Sequence, residues 1–225
     1  MVMMGSSLAD KLQAFRAAMF QRMSVRDLDA WHEGEAQLLA SDAAAGALQA
    51  GDAAPDFSLP DQHGRVVSLA DRLAQGPVAL FFNRGGWCPF CALSLRAWQD
   101  ALPALHEAGG DVLAITPQPA MACSQYAERD LLSYSLLSDR ENAVAERYGV
   151  WFEPPEILRS LLARLGHDIP RINGTGNWRM PLGATFVLAE DGRIALAHVE
   201  TIAWRQLEPS AAIKAVQNLR RLTTS

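Results

Sequence analysis

Apolar runs that favour β-strands alternate with helical patterns through the centre of the chain. The strand-like runs are residues 78–82, 111–116 and 134–137. Helical spacing of apolar residues follows them, starting at residue 92 and covering residues 120–131 and 142–148. This alternation predicts an α/β fold with a mainly parallel sheet that is covered on both faces and has its reactive groups at strand carboxyl ends.

Two hairpins and a closing helix complete the predicted domain. The first hairpin, within residues 57–69, turns at His63-Gly64. The second joins residues 184–188 to residues 194–199 through a short polar turn that contains a glycine. Pro209, a residue suited to the first turn of a helix, starts a predicted helix that runs to Leu222.

The first 50 residues are predicted to form a helical arm and a linker ahead of this domain. Ser7 can cap a helix that runs to about Met23, and Ser24 can start a second helix. The alanine- and glycine-rich stretch from Ala43 to Ala50 is typical of a linker. We expect the helical pair to pack against the core or to form a homodimer contact. Its acidic and basic residues offset each other, which does not favour a membrane surface.

A second feature interrupts the alternation of strands and helices after residue 150. Residues 156–166 have helical spacing and end at a glycine, with polar loops on either side. We therefore predict two parts: an arm and linker at residues 1–50, and an α/β domain at residues 51–225. The second part carries a helical insertion at about residues 151–180.

Composition and charge exclude several classes of function. The chain has 225 residues, 49% of them hydrophobic and 20% charged, which is typical of a soluble protein with one core. A net charge of −5 without clustered Lys and Arg argues against nucleic acid as a partner. We find no membrane-spanning run and expect no secretory leader. Three cysteines, two of them in one motif, favour catalytic thiols in a reducing cytoplasm.

The candidate chemistry lies in the stretch Arg84-Gly85-Gly86-Trp87-Cys88-Pro89-Phe90-Cys91. The stretch follows an apolar strand and precedes a helical pattern, so we expect its thiols at a helix N-terminus. Unpaired N–H groups and a partial positive charge there favour a thiolate, and a neighbouring arginine can add a full charge. Two cysteines at this spacing can close a disulfide without a change of fold. The residues that we expect to shape the site around the thiols are Arg84, Trp87 and Pro89.

A metal site is not expected, although Cys-x-x-Cys can form half of a zinc site. Zinc needs two more ligands at comparable spacing, and the remaining Cys123 and five scattered histidines do not provide them. We expect no nucleotide or other cofactor. Cys123 is predicted to be a helix residue and not a resolving thiol, and His106 and His167 are expected at the surface. We interpret Glu128 and Asp139 as solvated charges or helix caps, with Asp139 a candidate substrate contact.

Four segments of the chain occur in the order seen in peroxiredoxins. They are Gly51–Leu59, Phe82–Cys91, Leu137-Ser138-Asp139 and Thr185–Leu188. Within them, the stretch from Arg84 to Cys91 resembles the peroxiredoxin-like branch of the alkyl hydroperoxide reductase and thiol-specific antioxidant (AhpC/TSA) family. The resemblance covers roughly residues 51–222, and the arm resembles an extension that this branch often carries. It implies a thioredoxin-like, peroxiredoxin-type central sheet flanked by helices, with an N-terminal helical extension.

The two cysteines receive different roles from two related families. Peroxiredoxins place Thr-x-x-Cys at the start of this helix, and aligning Phe82 with their strand phenylalanine puts Cys91 on the attacking cysteine and Cys88 on the threonine. Cys91 then becomes a sulfenic acid that Cys88 resolves as a disulfide. In thioredoxin-like oxidoreductases the first cysteine attacks and the second, more buried one resolves. Both assignments stay open at this point.

Two positions depart from the family pattern. Gly183 aligns with an arginine that peroxiredoxins hold just before the late hairpin, and with a cis-proline of thioredoxin-like oxidoreductases. Arg84 replaces the usual first-turn proline of peroxiredoxins. Arg179 and Pro181 lie close to Gly183 in sequence and are candidates to compensate. The compensation matters because hydrogen-bond donors to a developing charge can contribute several kcal/mol to a reaction step.

Motif and resemblance together predict a thiol peroxidase. It reduces hydrogen peroxide or organic hydroperoxides through a Cys88–Cys91 dithiol/disulfide cycle, and a dithiol reductant such as thioredoxin recycles it. An alternative is an oxidoreductase for protein disulfides, which shares the motif without needing peroxide selectivity. A second alternative is a thioredoxin-like binding protein without enzyme activity, whose arm and residues 151–170 recruit partners.

Overall fold

The computed structural model describes residues 6–223. Its helices are α1 (Leu8–Phe20), α2 (Val25–Leu39), α3 (Leu69–Leu73), α4 (Pro89–Glu107), α5 (Ala120–Asp130), α6 (Ala143–Arg147), α7 (Glu156–Arg164), α8 (Ile169–Asn173) and α9 (Pro209–Thr223). Its strands are β1 (Ser58–Pro60), β2 (Val66–Ser68), β3 (Val78–Phe82), β4 (Asp111–Thr116), β5 (Ser135–Ser138), β6 (Trp151–Phe152), β7 (Met180–Pro181), β8 (Gly183–Leu188) and β9 (Ile194–Glu200). No helix in this range is both long and apolar enough to cross a membrane.

A mixed β-sheet forms the centre of the molecule. Within residues 6–223 it has five strands in the order β5-β4-β3-β8-β9. Strands β3, β4 and β5 are parallel, whereas β8 runs antiparallel to β3, and β9 runs antiparallel to β8. The α/β fold with helices around a central sheet is confirmed. The predicted late hairpin is confirmed as β8 and β9. Because β8 also pairs antiparallel with β3, two of the four strand pairs are antiparallel, and the expectation of a mainly parallel sheet is wrong.

The central strand β3 is buried along its whole length. Its side chains alternate between two apolar clusters, one on each face of the sheet. On one face the Phe82 ring lies 5.3 Å from Tyr148 and 6.0 Å from Phe186, and on the other Phe81 lies 6.2 Å from Trp98. Full burial of one such aromatic side chain contributes about 1.5–3 kcal/mol. The strand is therefore a rigid support for the loop that follows it.

The two helices of the arm lie against α4 and the insertion. The Ser7 side chain caps α1 in a capping box, and Ser24 caps α2, so both predicted helix starts are confirmed. Leu8 and Leu12 are buried in a cluster with Phe90 of α4, and α2 packs along α7. The arm thus covers the segment that carries the two cysteines.

The insertion contains more structure than its single predicted helix. The predicted α7 is present, and α8 follows it. Strands β6 and β7 form an antiparallel pair that joins the two ends of the insertion, with Trp151 opposite Pro181 and Phe152 opposite Met180. Two-residue strands and a five-residue helix are too short for a periodic pattern, so the sequence did not predict them. Pairing of the two ends makes the insertion a folded unit beside the arm.

Candidate active site

The loop after β3 is held by a buried asparagine and by two glycines. The Asn83 side chain accepts a hydrogen bond from the Gly85 N–H at 3.0 Å and donates one to the Ile115 carbonyl at 3.0 Å. Gly85 has φ +107°, and a Cβ there would lie 2.3 Å from the Gln118 side chain. The Gly86 N–H donates to Gln118 Oε1 at 2.6 Å. The glycines let the chain turn tightly from strand to helix against Gln118.

Helix α4 begins earlier than the apolar pattern predicts, with Cys88 as its N-cap. Pro89 lies in the first turn, where its missing N–H has no helical partner to lose. Cys91 is in the same turn. Both sulfurs therefore lie at the positive end of a 19-residue helix, as the strand-to-helix position of the motif predicted.

The two thiols are free, buried and in contact with each other. Cys88 and Cys91 are each 3% exposed. A hydrogen bond from the Cys91 thiol is the main cause that lowers the pKa of Cys88 to about 7, despite burial, and Arg84 and nearby backbone N–H groups lower it further. Burial is the main cause that raises the pKa of Cys91 well above its usual value, and the contact with Cys88 adds to it. The arrangement favours a thiolate on Cys88 and a thiol on Cys91.

The Arg84 side chain is fixed beside the two thiols by backbone carbonyls. Its Nε donates to the Pro181 carbonyl at 3.4 Å and its guanidinium donates to the Thr201 carbonyl at 3.3 Å. The guanidinium carbon also lies 5.1 Å from the centre of the Phe152 ring. The Arg84 backbone N–H donates to Cys91 Sγ at 3.4 Å. One arginine therefore contributes both a positive charge and a backbone donor to the site.

Gly183 lies near the loop that carries Arg84, although a Cβ at Gly183 would lie closest to the Glu200 carbonyl and Gln206. In the sheet, Ala184 pairs with Phe82, so Gly183 at the start of β8 lies next to the loop that carries Arg84. Of the two residues considered as compensation, Arg179 turns away: its guanidinium lies 4.4 Å from the Trp151 ring centre and 3.7 Å from a Glu153 oxygen. Pro181 contributes its carbonyl as an acceptor, and no cis peptide bond occurs in the described part of the chain.

Trp87 connects the motif to the insertion. Its Nε1 donates to the Arg84 carbonyl at 2.6 Å, and its ring centre lies 5.3 Å from that of His167. The expectation that His167 lies at the surface is wrong, because the segment after α7 folds back over the motif and half-buries this side chain. Burial lowers the pKa of His167, which favours the neutral imidazole.

A largely apolar cavity of about 100 Å³ lies beside Cys88. Its walls come from the arm, the loop after β3, the insertion and residues 201–203. Cys88 is part of the wall, whereas Cys91 lies behind it. The lining includes Met19, Trp31 and Glu35 of the arm and Leu158, Leu162 and His167 of the insertion.

Other candidate residues lie outside this site. Cys123 is fully buried in α5, and burial raises its pKa to about 12, which fits the predicted helix residue. The buried Asp139 carboxylate accepts the N–H groups of Val144 and Ala145 and so caps α6; it does not line the cavity. His106 is mostly exposed, as predicted. Residues 6–223 hold no group of three or more His, Cys, Asp or Glu that could bind a metal ion.

Several residues of the site were missed by sequence reasoning. Asn83 could have been found from its position, since a polar residue directly after a buried strand often belongs to a site at that end of the sheet. No sequence pattern pointed to Gln118, Glu35 or the Thr201 carbonyl, because these groups reach the motif or its cavity from elements far away in sequence.

The sequence of the chain is similar to that of known peroxiredoxins. The model of the AhpC/TSA family matches residues 50–197. Peroxiredoxin Bcp of Escherichia coli strain K12 is 35% identical over 147 residues, which are 65% of this chain and 83% of that protein. The chloroplastic peroxiredoxin Q of Oryza sativa subsp. japonica is 32% identical over 119 residues, 53% of each chain. The matched region begins where the predicted linker ends and leaves the arm outside.

Solved structures have the same fold. Peroxidoxin BcpB from Mycobacterium tuberculosis aligns with a TM-score of 0.60 and 26% identity, over 78% of this chain and 98% of that one. The reduced 2-Cys peroxiredoxin of Plasmodium vivax aligns with a TM-score of 0.61 and 16% identity, over 79% of this chain and 84% of that one.

Proposed function

Because this chain belongs to the AhpC/TSA family and is a peroxiredoxin-like thiol peroxidase, we propose that Cys88 and Cys91 carry its activity. Cys88 is the attacking thiolate in this proposal, and Cys91 is the resolving thiol. Family alignment alone gives the opposite order. The local chemistry of the two sulfurs supports the order proposed here.

The observation that carries the proposal is the environment of the Cys88 sulfur. It accepts a hydrogen bond from the Cys91 thiol, has its pKa lowered to about 7, and borders the cavity. The thiolate is the nucleophilic form of cysteine, so the sulfur that ionises near neutral pH reacts first. Cys91 is protonated and lies behind Cys88, where it can reach an oxidised Cys88 sulfur.

The cycle balances without a cofactor. The Cys88 thiolate attacks the terminal oxygen of ROOH: an S–O bond forms, the O–O bond breaks, and the leaving RO⁻ takes up a proton to become ROH. Sulfur is oxidised by two electrons to a sulfenic acid. The Cys91 thiol then attacks that sulfur, so that an S–S bond forms and water leaves.

Arg84 supports the first step by its charge and its position. Negative charge moves from sulfur to the leaving oxygen during O–O cleavage, and a fixed cation beside the path stabilises that charge. The carbonyls of Pro181 and Thr201 hold the guanidinium in place before the peroxide arrives. In this proposal Arg84 takes the part of the arginine that peroxiredoxins carry at the position of Gly183.

A dithiol reductant such as thioredoxin completes the cycle in our proposal. It transfers two electrons and two protons to the Cys88–Cys91 disulfide and leaves as its own disulfide. A thiol cycle of this kind fits a cytoplasmic location, since that compartment keeps dithiol donors reduced. A homodimer is a further proposal. We also propose that residues 1–50 are an extension of a catalytic domain at residues 51–225 that carries an insertion at about residues 151–180.

The test is rapid mixing of the reduced protein with hydrogen peroxide and with an organic hydroperoxide. We expect loss of two thiols in the parent, no fast reaction in Cys88→Ser, and a trappable sulfenic acid on Cys88 in Cys91→Ser. Cys123→Ser is the matched control and should behave as the parent, because Cys123 is buried away from the cavity. A sulfenic acid on Cys91 in Cys88→Ser, with no reaction in Cys91→Ser, would reverse the assignment.

The same assay, run with a protein disulfide as substrate, tests the alternative function of an oxidoreductase for protein disulfides. The reaction with such a disulfide needs contact between two macromolecular surfaces, and at 3% exposure both thiols are covered by the arm and the insertion. We expect peroxide to react much faster than a protein disulfide. Comparable rates for the two would favour the oxidoreductase.

A further inference from the structure

The turn after β9 (residues 201–204) supplies one of the two carbonyl groups that hold the Arg84 guanidinium. Strand β9 ends at Glu200, which pairs with Gly183, so the Thr201 carbonyl lies just beyond the last pair of the sheet. Hydrogen bonds of the sheet therefore do not fix the direction in which this carbonyl points. Its position depends on the contacts that hold the turn.

The arm holds this turn by the side chain of Trp204. The Glu35 carboxylate in α2 accepts a hydrogen bond from Trp204 Nε1 at 3.1 Å. The guanidinium carbon of Arg16 in α1 lies 4.5 Å from the centre of the Trp204 ring and 4.6 Å from the centre of the Phe20 ring. The same guanidinium lies 3.8 Å from a Glu35 oxygen. We call Arg16, Glu35 and Trp204 the Trp204 cluster.

The Trp204 cluster is partly shielded from water and adjoins the two thiols. The Arg16 and Glu35 side chains are 28% and 16% exposed, so solvent weakens their contacts less than it weakens those of a surface ion pair. The neighbouring Ala203 is buried in the same apolar cluster as the two cysteines of the motif. A displacement of Trp204 would therefore shift main chain that packs beside the reactive sulfurs.

The start of the arm does not need the Trp204 cluster for its attachment. Leu8 and Leu12 are buried against the motif. The Ala9 N–H, an amide of the first turn of α1, donates to a Glu208 carboxylate oxygen at 2.8 Å. What the Trp204 cluster adds is a connection from both helices of the arm to the turn that carries the Thr201 carbonyl.

We propose that the arm positions Arg84 for the reaction with peroxide, by fixing the turn after β9 through the Trp204 cluster. The three residues of the cluster are positioning residues, which act on the reaction through the Thr201 carbonyl and the Arg84 guanidinium. The inference rests on the proposed function, because it takes Arg84 as the cation that stabilises the leaving oxygen. A guanidinium held by one carbonyl instead of two moves more freely, so part of its stabilisation of the developing charge is lost.

The test is a double-mutant cycle of Trp204→Ala and Arg84→Met, measured as the second-order rate constant of the pre-reduced protein with hydrogen peroxide. Trp204→Ala alone should lower the rate constant about tenfold. In the Arg84→Met background the same substitution should lower it less than about twofold, because the group that it positions is already absent. The midpoint of the pH profile should also rise in Trp204→Ala, since a displaced Arg84 lowers the pKa of Cys88 less.

Two cations on the same tryptophan ring provide a matched pair of variants. Arg16→Met removes the cation of the arm, and we expect a rate constant that is roughly three- to fivefold lower. Arg205→Met removes the exposed cation that follows the turn, 5.2 Å from the centre of the Trp204 ring, and should stay within about twofold of the parent. Trp204→Phe keeps a ring and loses the donor to Glu35, so its value should lie between those of the parent and Trp204→Ala.

The outcomes separate this inference from the proposed function. An equal loss from Trp204→Ala in both backgrounds, an equal loss in Arg16→Met and Arg205→Met, or no loss in Trp204→Ala would overturn the positioning role and leave the peroxidase in place. An unchanged rate constant in Arg84→Met would refute the role of Arg84 in the proposed function itself. Arg16→Met replaces Trp204→Ala in the cycle if the alanine variant fails to fold.

Discussion

Hydrogen bonding to Cys88 and burial of Cys91 move the pKa values of the two motif sulfurs in opposite directions. The Cys88 sulfur accepts a hydrogen bond from the Cys91 thiol and lies close to backbone N–H groups of the first turn of α4. The Cys91 sulfur accepts a backbone hydrogen bond from Arg84 and is buried behind Cys88. Loss of a proton from one sulfur makes loss from the other harder. The arrangement therefore favours the thiolate on Cys88, the sulfur that borders the cavity, over a thiolate on Cys91.

The pH dependence of the first step should report this hydrogen bond. Because the thiolate reacts, we expect the rate of sulfenic acid formation to rise with pH, with a midpoint at about 7. In Cys91→Ala the donor is lost and the midpoint should move up toward the usual value of 9.0. In Cys91→Ser a hydroxyl still donates, so the midpoint should stay closer to that of the parent.

The measurement is stopped-flow oxidation of the reduced protein across a pH range that spans both values. The Ser and Ala variants remove the same resolving thiol and differ in the hydrogen bond alone. Equal midpoints for the two would show that the Cys91 donor does not set the pKa of Cys88.

Arg84 should contribute far more than Arg179 to the rate of reaction with peroxide. Arg84→Met removes the charge beside Cys88, so we expect the pKa of Cys88 to rise and the rate constant with peroxide to fall about 10²–10³-fold. Arg84→Lys keeps the charge but loses the fixed, planar geometry, and we expect an intermediate value. Arg179→Met is the control: its side chain contacts Trp151 and Glu153, away from the thiols.

The readout is the second-order rate constant of the pre-reduced variants, at a pH above the Cys88 midpoint so that ionisation is not limiting. If the rate constant fell as far in Arg179→Met as in Arg84→Met, Arg84 would not be the arginine that compensates for Gly183, and Arg179 would be the candidate.

At the scale of elements, the approach of α2 to α7 depends on a residue without a side chain. A Cβ on Gly34 would lie 2.2 Å from Leu158 Cγ, so only glycine allows the two helices to lie this close. The Asp27–Arg164 ion pair at 2.9 Å joins the same two helices at another point. Leu158 also lines the cavity beside Cys88, so the contact between the helices adjoins the site.

Gly34→Ala should loosen the arm. Alanine favours the isolated helix by roughly 1 kcal/mol, but the forced overlap with Leu158 costs about 1–3 kcal/mol, so we expect weaker docking of α2 on α7. Cys88 should then react faster with a bulky thiol reagent.

Thiol modification rates and the free energy of unfolding check this prediction. Gly46→Ala is the control, because a Cβ at that position meets nothing within 4 Å. An unchanged modification rate in Gly34→Ala, together with unchanged stability, would mean that the helix contact does not cover the thiols.

At the scale of the whole molecule, the site is a closed assembly of distant segments. The arm, the loop after β3, the insertion and the turn after β9 meet around one cavity. Because each thiol is only 3% exposed, a macromolecular dithiol can reach the sulfurs only if the arm or the insertion moves. Recycling of the disulfide by such a dithiol therefore requires a movement of the arm or the insertion that reduction of a small peroxide does not require.

The order of strands and helices, the arm and the reactive motif followed from the sequence alone. Capping serines, apolar runs, glycine turns and the Cys-x-x-Cys spacing act over a few residues, so their effects can be read locally. The same local character predicted both thiols at a helix N-terminus. Sequence patterns predicted the late hairpin but not its antiparallel pairing with the central strand β3, and they did not predict the short strands of the insertion.

Tertiary structure decided the parts of the site that depend on distance through space. Sequence left open the roles of Cys88 and Cys91, and it placed His167 at the surface. Residues 30 to 120 positions away along the chain determine three features of the site. These features are the sulfur that borders the cavity, the position of the Arg84 guanidinium and the cover over the thiols. Burial and hydrogen bonding between such residues arise only when the chain has folded, so no local pattern records them.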